Sequence, residues 1–325
     1  MENSSNTKVL ITGALGQIGS ELSIALGNRY GSDNVIASDI RDDTEGRLSG
    51  NGIFMHLDVL SFEEIETVLA KYGITVIYHL AAMLSAVAEK DPQRAWKINM
   101  GGLYNVLEAV RKHGCSIFFP SSIGAFGLGT LLDGTPQDAV MRPSSMYGVT
   151  KVSGELLCDY YHGRYGVDTR GVRYPGIISN GAMPGGGTTD YAVEIFYAAI
   201  REKRYTCFLE KDTSLDMMYM PDAIKAAIDL MEADPNRLHH RNAFNVSAMH
   251  FTPEDLAAEI KKHIPDFEMD YNVDPIRQKI ADSWPNYMDD STARREWGWK
   301  PVYTIESMTE DMLRILRKRY DEGLL

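Results

Sequence analysis

The sequence predicts an α/β fold: a doubly wound parallel sheet followed by a smaller C-terminal lobe. Three observations lead there. Short apolar runs alternate with amphipathic stretches through the first half of the chain. The first of those runs ends in glycines spaced for a tight strand-to-helix turn. Past Arg173 the regular alternation stops and an irregular pattern takes over.

Taken in order, Lys8-Val9-Leu10-Ile11-Thr12 reads as a buried strand that runs into Gly13-Ala14-Leu15-Gly16-Gln17-Ile18-Gly19. Gly13 suits the tight turn, Gly16 admits a pyrophosphate close to the backbone, and Gly19 lets the helix pack on the strand. The phosphate then sits at the helix N-terminus, which makes the sheet Rossmann-type. The second strand, Asn34 to Ser38, ends at Asp39, twenty residues beyond Gly19. A carboxylate there accepts hydrogen bonds from both adenosine ribose hydroxyls and repels a 2′-phosphate, so NAD is favoured over NADP. Ile53–His56, Val76–His79 and Ile117–Phe119 continue the strand series. The clearest helix starts at the cap Asp91 with Pro92 in first position, keeps Ala95, Ile98, Leu103, Val106, Leu107 and Val110 near one face, and stops at Gly114. Beyond Arg173 come Asn180-Gly181, the run Gly185-Gly186-Gly187, and helices at Pro253–His263 and Ile305–Tyr320. The expected division is an NAD-binding domain over 1–178 and a substrate lobe over 179–325, with a segment near 216–248 returning to the first.

With 325 residues, 44% hydrophobic and 24% charged, the chain has material for an ample core. A net charge of −12 argues against nonspecific binding to nucleic acid or to an anionic membrane. Cys115, Cys158 and Cys207 lie far apart and show no zinc spacing, so neither a disulfide framework nor a metal site is expected. The polar start, Met1 to Asn6, leads directly into the first strand, and no apolar run approaches membrane-spanning length. A cytoplasmic location is expected; an organelle import segment, if the native chain carries one, lies outside these residues.

Chemistry concentrates in Ser145-Met146-Tyr147-Gly148-Val149-Thr150-Lys151. A phenol titrates near about 10 and is a poor base at neutral pH unless a cation stabilises the phenolate. Lys151, one helical turn after Tyr147, is placed to supply that cation. Ser122 is the candidate to hold the reacting oxygen, and Ser121 is the adjacent alternative because neighbouring hydroxyls point differently.

On these residues the chain resembles the short-chain dehydrogenase/reductase superfamily, in the extended branch that holds nucleotide-sugar epimerases and dehydratases. The landmarks are Thr12-Gly13 to Gly19, Asp39, Leu57-Asp58-Val59, His79-Leu80-Ala81-Ala82, Pro120-Ser121-Ser122-Ile123 and Tyr147 to Lys151. Within that branch it is most similar to the zinc-independent L-threonine 3-dehydrogenases. The match continues at Arg173 to Ser179, Pro184 to Ala192, Met217 to Asp222, and Ser283-Trp284-Pro285, and several of these stretches lie outside the cofactor motifs.

The resemblance implies a catalytic set of Ser122, Tyr147 and Lys151. It implies NAD contacts at Gly13, Gly16, Gln17, Ile18, Gly19, Asp39, Arg41, Asp58, Val59, Leu80, Ala81, Ala82, Asn99, Tyr147, Lys151, Tyr174, Pro175 and Ile177, with Asn99 helping to place the lysine. For the substrate it implies Ser85, Ser121, Ser122, Tyr147, Thr188, Thr189 and Trp284. The three hydroxyls of Ser85, Thr188 and Thr189 could equally be capping or surface groups, and Trp284 could be plain core. The glycine run is either a lid hinge or an ordinary loop. The implied reaction is NAD-dependent, metal-independent oxidation of the C3 hydroxyl of L-threonine. A nucleotide-sugar epimerase or a catalytically idle NAD-sensing protein is the rival reading. A homodimer is expected through the helix bearing Tyr147 and the long helix before it, with Val149, Val152, Leu156, Tyr160, Tyr161, Leu103, Leu107 and Val110 as apolar material.

Overall fold

The computed structural model describes residues 7–44, 46–48, 52–181 and 187–325. The chain forms two compact units. The first comprises Met1–Ala125, Pro143–Arg173 and Ile224–Phe244; the second comprises Phe126–Arg142, Tyr174–Ala223 and Asn245–Leu325. The sequence pattern placed a boundary at residue 178 and a return near 216–248. Packing puts the change after Arg173 and the return at Ile224–Phe244, and it adds Phe126–Arg142 to the second unit.

The first unit is built on a six-stranded sheet. Its strands are β1 Val9–Thr12, β2 Val35–Asp39, β3 Ile53–His56, β4 Val76–His79, β5 Ser116–Phe118 and a last strand, Thr169–Arg170. They lie in the order β3, β2, β1, β4, β5, Thr169–Arg170, and every pairing is parallel. Parallel strands covered on both faces must be apolar throughout, and β1 and β2 are buried at every position. The strand order reverses between β1 and β4. In such sheets the ligand crevice opens beyond the carboxyl ends of the strands at that switch. Register sets Thr12 level with Ser38 on one side and His79 on the other, so the segments beginning at Gly13 and Leu80 leave the sheet together, one residue before β2 ends at Asp39.

Helices α1 Gln17–Tyr30, α2 Phe62–Tyr72, α3 Ser85–Lys90, α4 Pro92–Trp96, α5 Gly102–His113 and α6 Met146–Tyr165 belong to this unit. The expected helix from Asp91 to Gly114 has both predicted ends: Asp91 accepts from Arg94 N, Pro92 opens it, and Gly114 closes it at φ 71°. Between α4 and α5, however, Lys97–Gly101 is a π-helical turn. Ala95 and Asn99, four residues apart and on one face, are both buried. One expectation is corrected here. Leu103, Leu107 and Val110, expected at a dimer surface, are fully buried against the sheet layer, and Tyr161 is buried with them. The apolar side chains left outward on α5 and α6 are Tyr104, Val149, Leu156, Tyr160 and Tyr165.

In the second unit, Gly176–Ile178 and Leu215–Tyr219 pair in parallel, and Met249–Phe251 adds antiparallel to the latter. Helices Tyr191–Arg201, Pro253–His263 and Ile305–Asp321 close a separate core around Ile195, Phe196, Leu256, Ile260, Met308 and Met312. Strand Asp133–Thr135 pairs with Tyr287–Met288, which accounts for the early segment's membership. Gly185 and Gly186 of the glycine run lie outside the described residues. No helix among the described residues is long and apolar enough to cross a membrane.

Candidate active site

The glycine turn after β1 is a cradle that side chains cannot enter. Gly13 has φ 74°, and a Cβ there would stand 2.7 Å from Ala81 N. This is why the β1 turn can lie directly against Leu80-Ala81 after β4. A Cβ on Gly16 would meet only the Gly13 carbonyl, at 3.2 Å, so the space beyond it is open. Gly16 caps α1 without a side chain, leaving the first N–H groups of Gln17 and Ile18 free of side-chain capping. Such a terminus suits a pyrophosphate.

Asp39 sits at the end of β2, buried. Burial alone would raise its carboxyl. Hydrogen bonds from the Arg41 guanidinium and from the backbone of Arg41 and Leu15 outweigh that and hold it below the ordinary carboxylate range. Leu15 N donates to Oδ2 at 3.0 Å and Arg41 N to Oδ1 at 3.1 Å, while the Arg41 guanidinium bridges both oxygens at 3.0 and 3.2 Å. Asp58 accepts from Leu60 N at 2.9 Å, and the Val59 carbonyl from Asn105 at 3.1 Å, fixing the loop after β3. A dinucleotide fits this set: a glycine turn with free helix donors, an ionised carboxylate at the end of β2, and apolar Val59, Ala81 and Ala82 along the strand ends.

The proton-handling groups converge in the same unit. Tyr147 stands in the first turn of α6, whose cap Ser145 accepts from Gly148 N at 3.1 Å. Gly148 is what brings this turn in: a Cβ there would lie 2.2 Å from the Gly124 carbonyl. Gly124 N in turn donates to Ser122 Oγ at 3.1 Å, so Ser122 and Tyr147 share one small space. Burial raises the Tyr147 phenol above its usual value, and a hydrogen bond with Ser122 pulls it back. Lys151 is 6% exposed. Its Nζ donates to the Pro120 carbonyl at 2.6 Å and lies 4.9 Å from the Phe119 ring centre and 5.4 Å from that of Tyr147. Burial pushes the ammonium down to about 8, against the opposing pull of the Glu155 carboxylate.

Other expected residues behave differently. Asn99 contacts Lys151's neighbour: its amide donates to Thr150 Oγ1 at 3.1 Å and to the Met83 carbonyl at 3.1 Å, and its carbonyl accepts from Met83 N at 2.7 Å. Ser121, expected at the substrate, donates its hydroxyl instead to Glu155. Ser85 opens α3 and is half-buried. Tyr174, Pro175, Ile177, Thr188, Thr189 and Trp284 belong to the second unit. There Tyr174 donates to the Ala223 carbonyl at 2.7 Å, Thr189 packs where a Gly176 Cβ would be, and Trp284 packs partly buried against the core.

A family model described as the NAD dependent epimerase/dehydratase family matches residues 9–247. The chain belongs to that family. Its cofactor is NAD. An uncharacterized epimerase/dehydratase of Staphylococcus haemolyticus is 53% identical over 312 residues, 96% of this chain and 98% of the relative. Among solved structures, the chain is similar to L-threonine dehydrogenase from Clostridium difficile, at 55% identity and TM-score 0.95 over 96% of this chain and 98% of that one. It is similar to the holo form of a GalE-like L-threonine dehydrogenase from Cupriavidus necator, at 50% and 0.92, covering 95% and 99%. It is also similar to a monomeric L-threonine 3-dehydrogenase from a metagenome, at 44% and 0.91, covering 95% and 99%.

Within this family member, two features escaped the sequence reading: the glycine contact at Gly148 and the buried pair of Glu155 with Arg173. Glu155 follows Lys151 by four residues, so helical spacing alone pointed to it.

Proposed function

We propose that the protein is a dehydrogenase that oxidises the C3 hydroxyl of L-threonine to 2-amino-3-ketobutyrate, without a metal. What supports this reading is the 55% identity to a threonine dehydrogenase across 96% of the chain, well beyond the cofactor motifs. When bound, NAD supplies the acceptor for the hydride leaving C3. Tyr147 Oη takes the hydroxyl proton as that hydride departs, and Ser122 Oγ holds the reacting oxygen. Because burial raises the free phenol, Tyr147 needs a neighbouring positive charge to act as a base, and Lys151 provides it. The substrate's carboxylate and ammonium have Ser85, Thr188, Thr189 and Trp284 as candidates by resemblance alone.

An epimerase acting on nucleotide sugars is less well supported. Many such enzymes place an Arg-Asp pair where this chain has Leu215 and Asp216; Leu215 is fully buried, and Asp216 is bonded to Ser247 and Met288. Neither offers a cation to a diphosphate. The decisive assay is NADH formation by purified protein given L-threonine, L-serine, D-threonine or UDP-galactose with no added metal. L-threonine is the expected substrate; turnover of UDP-galactose with none of L-threonine would overturn the reading. Tyr147→Phe should keep NAD binding and lose on the order of 10³-fold in kcat.

We also propose a homodimer, formed through the outward residues Tyr104, Val149, Leu156, Tyr160 and Tyr165 of α5 and α6. Sedimentation showing only monomer at micromolar protein would defeat it and place this chain with its monomeric relative.

A further inference from the structure

Helix α6 carries Tyr147, Lys151 and Glu155 at four-residue intervals, on one face. Glu155 is 2% exposed and its carboxylate is held by two side chains, those of Arg173 and Ser121. Arg173 Nε reaches both of its oxygens at 3.1 and 3.2 Å, a terminal Arg173 nitrogen reaches Oε2 at 2.8 Å, and Ser121 donates to Oε1. A buried ion pair is a weak source of stability, because desolvating both charges offsets their attraction. This pair lies between the two halves of the candidate chemistry, which gives it another use. On one side Ser121 is the chain neighbour of Ser122. On the other, Lys151 has only a neutral carbonyl, that of Pro120, as its hydrogen-bond acceptor, with no carboxylate at ion-pair distance among the described residues.

We propose that Glu155 is a positioning residue for this site: it supplies the negative charge that the buried Lys151 ammonium faces, and it ties the strand Ser121–Ser122 to α6. The proposal rests on the reading of Tyr147, Lys151 and Ser122 as the reacting set. The groups facing Lys151 are the Pro120 carbonyl, the rings of Phe119 and Tyr147, the Glu155 carboxylate, the Cys158 thiol and the His79 imidazole. Of these, Glu155 is the one carboxylate, and it is held in an ion pair with Arg173 at 2.8 Å. Around Glu155 itself stand Ser121, Arg173, Lys151, Cys158 and, one turn further along α6, Asp159.

The test reads Lys151 directly and needs no substrate. The protein is labelled with ¹³C-lysine and the Lys151 Cε resonance, assigned with Lys151→Arg, is followed across pH in wild type, Glu155→Gln, Glu155→Asp and Arg173→Met. Glu155→Gln should lower the Lys151 midpoint by about one pH unit or more, Glu155→Asp should keep it near wild type, and Arg173→Met should raise it by removing the competing cation. If L-threonine is turned over, the alkaline limb of kcat/KM should move with the Glu155→Gln midpoint, while KM for NAD changes less than kcat. A midpoint that stays put in whichever of Glu155→Gln and Arg173→Met folds overturns the proposal. Failure of the threonine assay alone leaves the lysine titration standing, so the two readings fail separately.

Discussion

Each unit buries a titratable side chain where burial disfavours the charged form, and the two are of opposite chemistry. In the first unit His79, at the end of β4, is 2% exposed with its Nδ1 2.8 Å from Thr12 Oγ1. Burial, and then the Lys151 charge, bring it down to about 3. In the second unit Asp216 is fully buried and accepts from Met288 N at 2.8 Å and Ser247 Oγ at 2.9 Å. Burial raises it well above the carboxylate range, and the Asp290 charge pushes the same way against those two hydrogen bonds. The neighbour that matters in each case carries the sign the buried group would itself acquire. The contrast is with Asp39: burial disfavours the charged form of a side chain, and at Asp39 the Arg41 guanidinium and two backbone N–H donors outweigh it. The first unit is thus built to resist alkali and yield to acid at His79, and the second the reverse at Asp216.

The largest effect expected from this comparison is acid lability of the first unit. The unfolded chain protonates His79 below about 6.5, whereas the folded chain does not until about 3, so the unfolded state binds more protons and stability falls as pH falls through that window. From pH 7 to 4.5 the loss is roughly 2.5 kcal/mol. Urea melts of wild type and His79→Gln at both pH values check it; an equal pH slope in the two would break the comparison. A smaller effect concerns Asp39, the carboxylate that stays charged. Asp39→Ala should raise KM for NAD roughly tenfold and admit NADP, with Arg41 released to meet the added phosphate. Should wild-type protein already use NADP as readily as NAD, Asp39 does not lie on the ribose. The smallest is at Asp216. Its raised pKa means the folded state holds the proton longer, so stability is lost as pH rises above about 3.8. Asp216→Asn cannot ionise and should equal or exceed wild type by about 1 kcal/mol at pH 8, while the two converge near pH 4. Thermal melts showing wild type the more stable at pH 8 would mean that Asp216 is charged when folded.

What the sequence determined by itself is local. The glycine turn, the cap at Asp91, the stop at Gly114 and the four-residue step from Tyr147 to Lys151 each need only a few neighbouring residues to be specified, and all four stand where the pattern placed them. Strands β1 and β2 were legible because they are buried at every position, whereas the polar sixth strand, Thr169–Arg170, left no apolar run to read. Tertiary structure decided everything that depends on which way a side chain turns. Ser121 and Ser122 are adjacent on a strand and therefore face opposite sides. Spacing cannot say which faces the chemistry, whereas packing commits Ser121 to Glu155 and leaves Ser122 beside Tyr147. Helix α5 packs Leu103, Leu107 and Val110 fully inward against the sheet layer, a choice of face that apolar spacing does not state. Phe126–Arg142 joins the second unit through a strand pairing with Tyr287–Met288, more than a hundred residues away, and a contact between segments so distant leaves no periodic trace in either.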